Sequence, residues 1–260
     1  MADPYTYPGT DVLINLSGTT DRALWKDEET LAVGTRHAQL IRTPIEGGFD
    51  LPHLQAIHRH LTQDMYVWAG QLRTTNTGPG GTGIAHCRPE FIQAEADRIF
   101  STLTRQDLLR GRDEDAFAQG LAWVWGETTV LHPFRDVNTR SQFVFFNQLA
   151  EQAGWVIDWN LIDAHVFAHA RTMAIVRDEK GIDALLRPAL VSVADLGRRE
   201  ELRERMEQTR TEFFRPRPAR DRGTLDAELE KALRRREAQL GEPDPIRRDG
   251  PAGSGPSLSL

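Results

Sequence analysis

His132-Pro133-Phe134-Arg135-Asp136-Val137-Asn138-Thr139-Arg140 places a titratable base, a carboxylate, an amide and two guanidinium groups within nine residues. Apolar sequence ends just before this stretch at Leu131 and has resumed by Phe143. The stretch therefore reads as a loop that opens into a helix, held between two buried elements. The first turn of a helix carries backbone N–H groups without intrahelical partners and a partial positive charge, so it attracts phosphate. A histidine beside such a start, with an aspartate able to take a metal, points to phosphate or nucleotide chemistry.

The flanks support this reading. Upstream, Phe117, Leu121, Val124, Trp125 and Thr128 form a wide apolar stripe, which predicts a central, largely buried helix from about Glu114 to Val130. Downstream, the spacing predicts a helix from Thr139 to Ala153 that stops at Gly154, then another from Asn160 to Val176. Nearer the N-terminus, Asp21 is a cap signal for a helix running to about His37. Asp50 caps a second, with Pro52 in its first turn and Leu54, Ile57, His58, Leu61 and Met65 along one face, ended by Trp68-Ala69-Gly70. Pro89 starts a further helix with Ile92, Ala96, Ile99, Phe100 and Leu103 on one side. Between these, residues 71–88 read as a β-hairpin with the turn cluster Gly78-Pro79-Gly80-Gly81 at its tip.

The totals set the frame. A chain of 260 residues with 39% hydrophobic content has room for one large domain and an appendage. After Pro188 the composition turns charged. Helices are expected over 194–214 and 224–240, then a tail over 241–260 rich in Pro, Gly and Ser. No apolar run is long enough to span a membrane, and the N-terminus lacks the pattern of a signal peptide. One cysteine, Cys87, excludes an intrachain disulfide and fits a reducing cytoplasm. A net charge of −6 gives no general reason to bind nucleic acid, and the basic run Arg234-Arg235-Arg236 is interleaved with glutamates, as on a solvated helix. His165 and His169 have metal-pair spacing but no third ligand in view.

Residues 132–140 resemble the signature of the Fic (Fic/Doc) family, His-x-Phe-x-Asp/Glu-Gly-Asn-Gly/Lys-Arg, usually followed by a second Arg. Gly48-Phe49-Asp50, Tyr66-Val67-Trp68-Ala69-Gly70 and Ala153-Gly154-Trp155 resemble the family core as well. The resemblance implies a mainly all-α fold, a helical core with one small β-hairpin flap at 1–190, to which the composition adds a charged helical arm at 191–240 and a disordered tail at 241–260. It also implies Mg²⁺-dependent transfer of AMP from ATP to a hydroxyl of a protein target. In that chemistry His132 is the general base and Asp136 the metal ligand. Val137, Asn138, Thr139 and Arg140 hold the phosphates, with Thr77 and Gly78 touching the nucleotide from the flap. Resemblance to bacterial Fic toxins implies partners such as the B subunits of type II topoisomerases, and the single cysteine sets the expected location as cytoplasmic. An antitoxin, or self-association through the arm, is a further implied partner.

Three positions depart from the pattern. Val137 stands where the family has Gly, Thr139 where it has Gly or Lys, and Phe143 where it has the second Arg. If position 137 needs a positive φ, a β-branched residue there is strained by about 1–3 kcal/mol. Losing the second Arg removes a contact to the terminal phosphates. Two alternatives therefore stay open: transfer of another phosphate-containing group, and a Fic-fold binding module without catalysis. The family's inhibitory pattern, Ser/Thr-x-x-x-Glu-Gly/Asn, is not found. Glu46-Gly47 comes closest, with Arg42 at the Ser/Thr position. The expectation is a chain not controlled by such a Glu–Arg pair.

Overall fold

A computed structural model describes residues 3–79, 84–176 and 178–195. The elements expected over 194–214, 224–240 and 241–260, like the tip at Gly80-Gly81, lie essentially outside the described residues. Within them, α4 (Glu114–Leu131) is the element around which the others pack. Asp113 starts it by accepting from the Ala116 N–H, and Phe117, Leu121, Val124, Trp125 and Leu131 are buried along it. Around α4 stand α3 (Ile92–Arg105), α5 (Asn138–Gln152), α6 (Ala164–Met173) and α7 (Lys180–Leu186). On the far side of α5 lies α2 (Leu51–Thr62), and α1 (Arg22–Arg42) packs on α2. The mainly helical reading holds.

Cap chemistry sets several boundaries. Asp21 accepts from the Leu24 N–H and Asp50 from the His53 N–H, so α1 and α2 begin where the sequence places them. α1 runs on to Arg42, and α2 stops at Thr62 rather than near Gly70. The helix expected over 160–176 is broken at both ends. Asp158 turns the chain by accepting from the Asn160 N–H, giving a short 3₁₀ turn at Trp159–Leu161. Asp163 then captures the N–H groups of His165 and Val166 and becomes the true start of α6. A second 3₁₀ turn, Ala174–Val176, ends it.

The regular sheet is not the one the sequence suggests. β1 (Trp155–Ile157) pairs antiparallel with β2 (Leu190–Ser192). Strands of three residues are too short to show alternation. The flap at 71–88 is extended but carries no regular strand among its described residues. Its arms are linked by the His86 N–H on the Thr77 carbonyl (2.9 Å). Its ends are tied to the core by the Arg73 N–H on Pro133 O and the Cys87 N–H on Val130 O, both 2.9 Å.

Trp125 is the hub of the core beneath the site. Its ring meets Phe143, Phe146, Trp159 and Phe167, with centroids between 4.6 and 5.8 Å. Its Nε1–H is buried without a hydrogen-bond partner. Trp125→Ala should therefore cost about 3–5 kcal/mol of stability. Trp125→Phe, which deletes the orphan N–H along with some volume, should cost less than about half of that. Urea denaturation of the two variants measures the difference.

Candidate active site

Helix α4 ends at His132, which caps it in a left-handed conformation (φ 43°, ψ 61°) with its N–H on Thr128 O. From there to α5 the chain must turn with its polar backbone largely out of water. Side chains from three directions hold it. Arg73, 2% exposed, donates from Nε to His132 O (2.7 Å) and from Nη1 to Thr75 O (2.7 Å); Nη2 bonds Cys87 O and Leu131 O. Asn138 accepts the Phe134 N–H (2.9 Å) and returns Nδ2–H to Phe134 O (2.8 Å). His58 stacks on Phe134 at 3.8 Å and bonds Asp136 O at 3.2 Å. Its Nδ1 accepts the Gly70 N–H (2.9 Å), which assigns the ring proton to Nε2, the donor to Asp136 O. Gly70 is needed here: its φ is +78°, and a Cβ would lie 2.8 Å from Arg59 Cβ.

Helix α5 begins at Asn138 behind Val137, which takes φ 58°, ψ 11° and is 2% exposed. The condition for strain is met. No side chain caps this helix start. Its first-turn N–H groups thus face the loop as an anion site. Asp136 sits at its mouth, one carboxylate oxygen accepting the Val137 N–H at 2.6 Å. The Asn138 amide, by contrast, is committed within the loop. Its expected phosphate contact becomes a staple of the loop's shape.

His132 and His86 stack face to face, with ring centroids 3.7 Å apart and planes 5° apart. Thr77 fixes His86 through Oγ1 to Nδ1 (3.0 Å), so Thr77 acts on the flap before any nucleotide. A Cβ on Gly78 would fall 2.1 Å from Ile84 O, which explains the glycine by packing between the flap arms. Burial pushes His132 well below the ordinary histidine range, and the charges of His86, Arg171 and Arg73 push it further. Its Nδ1 is buried in the field of the Thr129 carbonyl, outside hydrogen-bond geometry. Burial also lowers His86 to about 4 and His58 to about 3.

Arg140 is not open. Its Nη2 donates to Glu29 Oε2 (3.1 Å), which also takes Lys26 Nζ (3.2 Å). The other Glu29 oxygen accepts from Tyr66 O–H (2.7 Å), which in turn accepts from Trp25 Nε1 (3.0 Å). Burial would raise the Glu29 carboxyl, but the Arg140 and Lys26 cations and the Tyr66 hydroxyl together hold it low. The motif arginine thus has a glutamate partner in cis, from a place the inhibitory pattern does not cover. Sequence reading missed Glu29, yet it shares the buried face of α1 with Trp25, Val33 and Leu40. A charge on an apolar face was the available signal. Arg171, on the buried face of α6, was missed for the same reason. Among the described residues no group of three or more potential metal-ligating side chains occurs.

The Fic/DOC family profile matches residues 48–150, the span from the Gly48 turn through α5. The probable protein adenylyltransferase y4lH of Sinorhizobium fredii is 36% identical over 188 residues, covering 72% of this chain and 95% of that protein. The chain belongs to the Fic/DOC family. A probable protein adenylyltransferase Fic of Salmonella typhimurium is 33% identical over 188 residues, covering 72% of this chain and 92% of the relative. In fold, the chain resembles the BepC protein of Bartonella tribocorum, solved with bound AMPPNP. The TM-score is 0.67 at 24% identity, covering 72% of this chain and 96% of that one. The Fic motif here thus carries Val137, Thr139 and Phe143 at its three departures from the family pattern.

Two tests follow from the loop. The folded chain takes a proton on His58 only near pH 3, whereas an unfolded histidine takes it near 6.5. Between those values the unfolded chain holds more protons, so stability rises with pH and is lost as pH falls, by up to about 1.4 kcal/mol per pH unit for each such histidine. His86 and His132 act in the same direction. The urea midpoint should therefore drop between about pH 7.5 and pH 5, and drop less in His58→Gln. At position 137 the usual order of core truncations should reverse. Val137→Gly sheds the left-handed strain that Val137→Ala retains, so the glycine variant should be at least as stable as the alanine one. Thermal denaturation decides it.

Proposed function

We propose that this chain is a Mg²⁺-dependent protein adenylyltransferase. The observation that carries the reading is a neutral imidazole, His132, packed at the mouth of an uncapped helix start that bears Asp136 and Arg140. The names of its relatives support it. In this reaction the oxygen of a target Tyr, Ser or Thr attacks the α-phosphorus of ATP. The new O–P bond forms as the bond to the β-phosphate oxygen breaks, and pyrophosphate leaves. His132 takes the hydroxyl proton. Its depressed basicity keeps the ring in the accepting form at neutral pH. The α5 N–H groups hold the phosphates, and Arg140, whose Nη2 is held by Glu29, offsets from beside them the charge that builds up.

Asp136 supplies a carboxylate at the mouth of this helix start, and Mg²⁺ needs only one or two carboxylates beside phosphate oxygens and water. Asp136 would hold it, and the ion would neutralise polyphosphate charge. The extended arms of the flap suit a target segment that adds as a strand across 73–77. Type II topoisomerase B subunits are the first targets to try, in a toxin-like role. Phe143 specifically favours a second reading, in which a different phosphate-containing group is transferred.

Incubation with Mg²⁺, lysate and ATP labelled at either the α- or the γ-phosphate separates these readings. α-Label on a protein band, lost by at least about a hundredfold in His132→Ala, is the expected result. γ-Label alone would assign phosphotransfer. No label from either would leave a binding module.

A further inference from the structure

Phe143 does more than omit an arginine. Its ring packs on Trp159 (4.5 Å), Trp125 (5.4 Å) and Phe167 (5.7 Å). A cation reaches the same end of α5 from the neighbouring helix. Arg171 lies on α6 one turn beyond Phe167 and is 7% exposed. It donates from Nη1 to Thr139 Oγ1 (3.1 Å) and from Nη2 to Gln142 Oε1 (2.9 Å). Gln142 is itself fixed by donation to Thr128 O (3.1 Å), at the end of α4. Two motif departures thereby become one arrangement: the Thr139 hydroxyl seats the guanidinium, and Phe143 packs beneath the helix that delivers it. The charge of Arg171 is also felt at His132 and His86, where it disfavours a proton.

A guanidinium seated on the first turn of a helix brings planar N–H donors to the place where the backbone N–H groups already favour an anion, and a polyphosphate is large enough to meet both. Its planar fork suits phosphate oxygens better than an ammonium does. We propose that Arg171 is a specificity-determining phosphate-binding residue, contacting the β- and γ-phosphates of a nucleoside triphosphate in the role left by Phe143. This rests on the nucleotidyl-transfer reading above.

The test is calorimetric titration of the full chain with Mg²⁺-ATP and, separately, with AMP. Arg171→Gln should weaken ATP by about tenfold or more and AMP by less than about threefold, because AMP lacks the phosphates in question. Adding Phe143→Arg to that variant should recover part of the ATP affinity, and Arg171→Lys should fall between. If Arg171→Gln does not fold, Arg171→Lys carries the comparison, still with ATP losing more than AMP. Equal losses for the two nucleotides, or none, would overturn the proposal and leave Arg171 as a support of α5. A wild-type chain that transfers AMP while the variants keep full ATP affinity overturns this inference alone. A wild-type chain that binds no ATP overturns the transferase reading and this inference together.

Discussion

Seven residues of backbone, from His132 to Asn138, have to turn between two buried helices without leaving their polar groups unpaired. A buried N–H or C=O without a partner costs about as much as a whole hydrogen bond, so the turn exists only if partners come to it. Arg73 supplies donors to His132 O and Pro133 O, Asn138 closes on both backbone atoms of Phe134, and His58 reaches Asp136 O. Ser141 completes the set by donating Oγ–H and N–H to Val137 O. The same bonds aim the imidazole and open the first turn of α5. Chemistry and backbone satisfaction are one problem here, solved by side chains from α2, the flap and α5.

Charge follows from that solution. Arg73 and Arg171 enter the interior on oxygen partners, and Arg140 enters with Glu29. Their field has two consequences. It disfavours a proton on His132 and His86, and it favours a polyanion at the helix start. Both are what transfer from a nucleoside triphosphate asks of a site. Glu29 tempers the field at Arg140 and, anchored by the Tyr66–Trp25 chain, holds that guanidinium in place.

Val137 is the visible cost of this local geometry. A branched residue with φ 58° is uncommon, and such strain persists where surrounding packing over-determines it. Here Val137 is part of the main core, and Asn138, Ser141 and Asp136 hold the chain on both sides. Anchoring by burial thus replaces the conformational freedom of glycine.

Much of the site was legible along the chain because its parts are local. The apolar stripes of α4 and α5, the cap residues Asp21 and Asp50, and the nine residues between Leu131 and Ser141 are each a pattern of near neighbours, which sequence spacing reports directly. That determined a mainly helical fold, the family, and a base beside a phosphate-binding helix start. What tertiary structure alone decided is which distant groups complete it. Glu29 meets Arg140 across 111 positions, Arg73 meets His132 across 59, and Arg171 meets Thr139 across 32. A charge on an apolar helix face marks that a partner must exist, since an unpaired buried charge is too costly to keep. It does not name the partner, because that depends on where packing brings another helix.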